Sequence, residues 1–148
     1  MEQTEPKIYK DKVLGEFMLD ERIDQYVTKI EWPRGYITLS VENCEGKELD
    51  GVFATANKIV KAKNEWDKKI KEFAAVELME LKNDSWLDED EAEITADQFV
   101  EKIKIETIDI SLDNEFEFYL DDGDIFWGHT IIVSGNLEEG PQEAQIAG

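Results

Sequence analysis

The sequence is short of the residues that build metal and redox centres. It holds one cysteine, Cys44, and one histidine, His129, in 148 residues. A lone cysteine closes no internal disulfide and excludes a multi-cysteine zinc site. His129 has no second imidazole to complete a transition-metal site. Nothing near Cys44 in sequence would lower its pKa, so it reads as an inert thiol. No apolar run approaches the roughly 18 residues of a membrane-spanning helix. Met1–Lys12 lacks the apolar core of a secretory signal, and Glu138–Gly148 carries no lipidation motif. A soluble, cytoplasmic protein without cofactor or metal is the expectation. The phosphate-binding glycine loop, the dinucleotide fingerprint, the nucleophile elbow and the zinc-protease histidine pair are all missing. A Ser–His–Asp triad is assembled only by the fold, but nothing marks out a particular serine.

Positive charge is the other shortage. Sixteen Lys and Arg face thirty-six Asp and Glu, a formal charge of −20. Phosphates of nucleic acid and of anionic membranes would be repelled, so neither is an expected partner. The charge is uneven. Asn57–Lys82 has seven Lys against five acids, whereas Asn83–Asp124 has sixteen acids against two Lys. A solvated acidic face accounts for this as solubility chemistry. A concentrated patch is also what a basic protein partner would meet.

What is present is enough for a folded domain. Apolar residues make up 41% and aromatics 10%, which excludes a wholly disordered chain. The pattern predicts a flexible arm over residues 1–12 and one α+β domain over residues 13–148. Strands are predicted at Val13–Leu19, Tyr26–Trp32 and Tyr36–Val41 from apolar alternation, with Pro33 and Gly35 in a tight turn. Val52–Lys82 has helical periodicity, with Asp50-Gly51 as its cap and a break near Lys63-Asn64. Thr95–Gln98 is a capping box opening a short helix. Ile105–Leu112, Glu115–Leu120 and Phe126–Ser134 complete a second meander, with turns at Asp113-Asn114 and Asp121–Asp124. The run Ile131–Val133 predicts a strand covered on both faces. The order is three strands, a helical pair and three strands. It predicts a mainly antiparallel sheet of about six strands with helices on one face, and leaves open one sheet or two. The expected core is Phe17, Leu39, Trp66, Phe73, Leu78, Phe99, Ile110, Phe118, Trp127 and Ile132.

The densest constellation is Asp121–His129, with three carboxylates, two glycines, two aromatics and the only histidine. The carboxylates could take a hard cation and His129 could move protons. The same residues read structurally as Asp-Gly turn chemistry followed by strand aromatics. Asp84–Glu93 is acidic but lacks the glycine of an EF-hand loop.

Two stretches carry a resemblance. One runs through Asn64-Glu65-Trp66-Asp67, Phe73-Ala74-Ala75, Leu81-Lys82-Asn83, Trp86-Leu87, Ile94-Thr95 and Phe99. The other is Asp122-Gly123-Asp124-Ile125-Phe126-Trp127-Gly128-His129-Thr130-Ile131, followed by Gly135 and Gly140. Together they resemble an uncharacterised family of bacterial proteins classed as a domain of unknown function. The resemblance implies a bacterial, cytosolic, single-domain protein and supplies no catalytic residues. In size and charge alone, the chain is also similar to immunity proteins that neutralise toxins.

The leading expectation is a non-enzymatic acidic interaction module, an immunity or inhibitor protein for a basic partner in its sharpest form. Its binding face is expected at Asp113, Glu115, Glu117, Tyr119, Asp121, Asp122 and Asp124. In Glu115–Leu120 the phenylalanines and leucine point inward, so Glu115, Glu117 and Tyr119 point out. The alternative is an enzyme or divalent-metal-dependent binder with a pocket at Trp127 and His129. Repulsion among the sixteen acids of Asn83–Asp124 generates a direct expectation. At about 0.5 M NaCl the Debye length falls to roughly 4–5 Å, so a melting scan should give a higher Tm than in dilute buffer. A flat response would mean the acids are already compensated.

Overall fold

Strand alternation is the first constraint that the chain obeys. In the computed structural model, which describes residues 7–148, the main apolar phase of the central strands is the buried phase. Tyr26, Ile30 and Trp32 are buried on β3 (Gln25–Trp32), and Ile37, Leu39 and Val41 on β4 (Gly35–Glu42). These two pair with β1 (Ile8–Asp11) and β2 (Gly15–Asp20) in a four-stranded antiparallel meander. Three helices follow: α1 (Lys47–Lys61), α2 (Lys63–Ser85) and α3 (Ala96–Lys102). A second antiparallel meander closes the chain: β5 (Lys104–Ile110), β6 (Glu115–Asp121), β7 (Thr130–Asn136) and β8 (Gly140–Ala147).

The two meanders join into one eight-stranded sheet in sequential order. Their seam is the pairing of β4 with β5, which is parallel. A parallel neighbour cannot be reached by a hairpin and needs a long crossover. The helices are that crossover, and they cover one face of the sheet. Their apolar stripes, with Val52, Phe53, Ile59, Trp66, Ile70 and Leu78, share a core with the inward strand residues. Phe53 stacks on Tyr9 at 3.8 Å and meets Phe17 edge-on at 4.9 Å, which holds β1 and β2 to α1. Asp67 on α2 accepts from the Trp32 indole N–H at 2.8 Å and pairs with the buried Lys71 at 3.0 Å. The opposite, outer face is covered by no element among the described residues. Its strand residues are mostly polar and half-buried or exposed.

The α+β class and the mainly antiparallel sheet stand, and the break between α1 and α2 falls at Ala62. The capping box is present, with Thr95 accepting from the Gln98 backbone and Gln98 from that of Thr95. Several expectations are corrected. The sheet has eight strands, not about six. Ile8–Asp11 of the expected arm is a strand, because Tyr9 has Phe53 to pack against; residues 1–6 lie outside the described residues. β8 was not foreseen, since Gly140–Ala147 has little apolar content to signal it. α1 begins at Lys47 rather than after Asp50-Gly51. Gly46, at φ 60°, turns the chain into it, and Asp50 sits in its first turn, where a carboxylate complements the helix dipole. β7 begins at Thr130, not Phe126. It is not covered on both faces: Ile131 and Val133 are buried, but Ile132 points to the open side.

The core list is right for seven of its ten residues. Phe73 and Ile132 are only half-buried, and Trp127 is 55% exposed. The buried aromatic of that segment is Phe126, edge-on to Trp86 at 5.5 Å and to Phe99 at 6.0 Å. Strand phase fails here because residues 122–129 form a turn rather than a strand. Phe126→Ala should therefore cost about 3–5 kcal/mol in urea melts, and Trp127→Ala under about 1 kcal/mol, as for an exposed position.

Candidate functional site

The outer face is where side chains meet without an apolar cover. Strand pairing places Ser40 beside Asp109, Asp109 beside Glu117, and Glu117 beside Ser134. The next row sets Thr38, Thr107, Tyr119 and Ile132 side by side. Like charges directly opposite each other destabilise a sheet, so the Asp109–Glu117 neighbours are an unfavourable pair unless something offsets them. Tyr119 stands on the same face one row away, close enough that its phenol senses both carboxylates. Burial, reinforced by the negative charge of Glu117, pushes the Asp109 carboxyl up to about 6. Burial and the two carboxylates push the Tyr119 phenol up to about 12. Shifts of this kind on an open sheet face mark a group held away from its preferred solvation.

Three depressions lie on this face. One of 370 Å³ is lined by Thr107, Asp109, Tyr119 and Thr130. It shares Glu106 and Thr107 with a second, of 390 Å³, that reaches Lys104, Asp121, Thr38 and Lys29. Lys29 and Thr38 in turn border a third, of 800 Å³, over Met18, Asp20 and Val27. The shared residues make one trough crossing the sheet from β7 to β2. The register shift between Ile105 and Thr107 on β5, where Glu106 is the extra residue, sits at its middle. Bulges of this kind re-aim side chains and recur beside functional sites.

The Asp121–His129 constellation is organised differently. Asp122 is 1% exposed. Its Oδ1 accepts from the Asp124 N–H at 2.9 Å. Its Oδ2 accepts from the N–H groups of Phe126, Gly128 and His129 at 2.9, 3.0 and 3.0 Å. Four backbone donors thus converge on one carboxylate and fold the β6–β7 connection around it. Gly123 and Asp124 form one tight turn at φ 56° and 64°, and Trp127 and Gly128 another at 58° and 88°. Gly123 is needed twice over: its φ is positive, and a Cβ would lie 2.3 Å from the Lys102 carbonyl oxygen. The His129 ring nitrogen Nδ1 lies 2.5 Å from the Phe126 carbonyl, and the ring stands edge-on to Trp86 at 5.1 Å.

The acidic 84–93 segment is tied down from α2. The buried Lys82 ammonium donates to the Trp86 carbonyl at 2.7 Å and to Glu91 at 2.9 Å. Hydrogen bonding to Lys82 holds the Glu91 carboxyl below its ordinary range. Asn83 donates to the Ile94 carbonyl and accepts from the Ile94 N–H, as a backbone neighbour would.

Of the expected binding residues, Glu115, Glu117, Tyr119 and Asp121 share the outer face of β6. Asp113 stands exposed in the β5–β6 turn, and Asp124 in the β6–β7 turn. Asp122 does not join them, because its oxygens are held inside its own turn. Trp127 and His129 meet around Trp86 but line none of the depressions described above. Among the described residues, no three His, Cys, Asp or Glu side chains are grouped to share a metal ion. No described helix is long and apolar enough to cross a membrane. Burial raises the Cys44 thiol, in keeping with an inert role. Asp109 was missed. Its signal was one acid between Ile108 and Ile110 in a strand, with the Asp113-Asn114 turn folding it toward Glu117.

Residues 11–146 match the model of a family described as an uncharacterized protein conserved in bacteria, DUF2262, and the chain belongs to that family. No curated protein and no solved structure matches the chain.

The raised Asp109 carboxyl has a defined consequence for stability. The folded state binds its proton more tightly than the unfolded chain does, so stability from this group falls as pH rises from about 4 to about 6. Asp109→Asn should be more stable than wild type at pH 7 and should lose that advantage near pH 4, by paired urea melts. A constant difference across that range would mean that Asp109 titrates normally.

Proposed function

We propose that the protein is a non-enzymatic binding module that takes a cationic surface of a protein partner in the trough on its open sheet face. One observation carries the reading. On the face that the helices leave open, Asp109 lines the trough together with Tyr119, and Glu117 stands directly beside it on β6. Two neighbouring carboxylates gain from an ammonium or guanidinium group more than isolated surface acids do, because it relieves their mutual repulsion and because Asp109 has already lost part of its solvation.

The surroundings support a protein rather than a small ligand. The trough crosses most of the sheet and is shallow. Lys7, Arg22 and Lys29 sit with Asp20 and Glu21 at its β2–β3 end, whereas around β5 and β6 Glu106, Asp109 and Asp121 line it against Lys104, with Glu115, Glu117 and Glu143 exposed on the same face beside it. An acidic surface of this extent steers a basic partner into contact and sets its orientation. In its sharpest form the module is an inhibitor, filling a cationic site on the molecule that it binds. Chemistry at Asp121–His129 has less support, since Asp122 is committed to four backbone donors.

A ten-residue lysine peptide tests the site directly. Backbone amide shifts in a titration at low salt should concentrate on Thr38, Thr107, Asp109, Glu117 and Tyr119. Glu117→Lys should weaken the binding by roughly tenfold, about 1.4 kcal/mol, with Tm near wild type. Shifts confined to residues 84–93, or unchanged affinity in Glu117→Lys, would overturn the sheet-face reading.

A further inference from the structure

We infer that the exposed indole of Trp127, backed by Trp86, is a docking site for an arginine side chain of a basic protein. This site lies outside the trough and rests on different residues.

The first observation is exposure held in place. Trp127 is the most exposed aromatic after Tyr36, at 55%. Its ring leans on Trp86 at 4.7 Å and 57°. Its backbone is at φ 58°, a conformation that bulky residues rarely adopt. The Asp122 carboxylate maintains it by binding the N–H groups on either side, at Phe126 and Gly128. Trp86 is equally fixed. Its ring stands edge-on to the buried Phe126 at 5.5 Å, and its carbonyl takes a hydrogen bond from Lys82. An aromatic anchor on a rigid mount loses little conformational entropy when a partner covers it.

Charge complementarity names the occupant. The segment that follows Trp86, and Asp84 just before it, are acidic, and the bases that act on it, Lys82 and Lys102, act on Glu91. Lys82 is matched to Glu91. Asp84, Asp88, Glu89, Asp90 and Glu93 are exposed and make no ion pair among the described residues. Asp124 adds a further exposed carboxylate in the turn that carries Trp127. An apolar partner would have to strip water from these acids without return. A guanidinium is planar, weakly hydrated and cationic, so it stacks on an indole face while its edge serves carboxylates. An ammonium is more strongly hydrated and stacks less well.

The test uses the full chain and two blocked peptides, tetra-arginine and tetra-lysine. In wild type the indole N–H resonances of Trp86 and Trp127 should shift saturably with tetra-arginine, while those of the buried Trp32 and Trp66 stay still. Trp127→Ala should weaken tetra-arginine binding by roughly fivefold or more, and tetra-lysine binding by less than about twofold. Trp127→Phe, which keeps an aromatic face, should stay within about twofold of wild type for both. Equal affinity of Trp127→Ala and wild type for tetra-arginine would overturn the site, as would Trp127→Phe losing as much as the alanine variant. Should Trp127→Ala fail to fold, the wild-type indole shift decides: a saturable shift supports the site and no shift overturns it. Glu117→Lys leaves these residues untouched, so this site and the sheet face succeed or fail separately.

Discussion

The parallel pairing of β4 with β5 governs the architecture. Two antiparallel meanders could each have closed on themselves, but joining them side by side in parallel forces the chain to travel back along the sheet. That return is made by α1, α2 and α3. Because all three helices belong to one crossover, they lie on one face, and the other face has only its own side chains for cover. The outer strand residues are correspondingly polar for the most part, with Ser40, Thr38, Thr107, Asp109, Glu117 and Tyr119 beside a few apolar ones such as Val27 and Ile132. The acidic trough is thus a consequence of topology before it is anything else.

The second level of organisation is a small set of buried polar groups that hold irregular backbone. Asp122 collects four N–H groups and fixes the β6–β7 turn. Lys82 and Asn83 reach out from the last turns of α2 and hold the 84–94 segment at Trp86, Glu91 and Ile94. Each group is satisfied, and no described buried side-chain polar atom is left without a partner. Removing one member of such a set leaves its partners unpaired in a poorly solvated place, which costs more than the bond itself contributes. The two stretches by which the sequence resembles its family contain these groups. Leu81-Lys82-Asn83 carries the two α2 anchors, and Asp122-Gly123-Asp124 carries the turn. The motif residues therefore have a structural account that needs no catalysis.

Legibility followed periodicity. Where the chain alternates, as in β3, β4 and β6, faces and turns could be assigned from residues alone, and the outward set Glu115, Glu117 and Tyr119 was among them. Where the chain is irregular, phase carried no information. Phe126 and Trp127 are adjacent aromatics, and only the convergence of N–H groups on Asp122 decides that one is buried and the other exposed. Asp122 itself looked like its neighbours Asp121 and Asp124, because burial of a carboxylate depends on donors that fold around it. β1 and β8 were hidden for another reason. An edge strand pairs on one side only, so a weak pattern suffices, and Tyr9 is held by Phe53 from a distant part of the chain. Asp109 needed the pairing of two strands to acquire meaning, since a single acid between isoleucines says only that it faces outward.

The Asp109–Glu117 pair links binding to protonation. Side by side, the half-buried Asp109 and the exposed Glu117 repel each other, and a proton on Asp109 relieves that repulsion at pH values below about 6. A cation seated between them would relieve it in the same way. Proton and cation therefore compete for one site, and whichever binds first reduces the gain available to the other. On the proposed reading, the affinity for a basic partner is greatest where Asp109 is ionised and declines as pH falls through that range. Trp127 carries no titrating group of its own, so a contact there depends on pH only through the exposed acids of the neighbouring segments. The two surfaces would then respond differently to the same change of pH, because one rests on the half-buried Asp109 carboxylate and the other on an aromatic face.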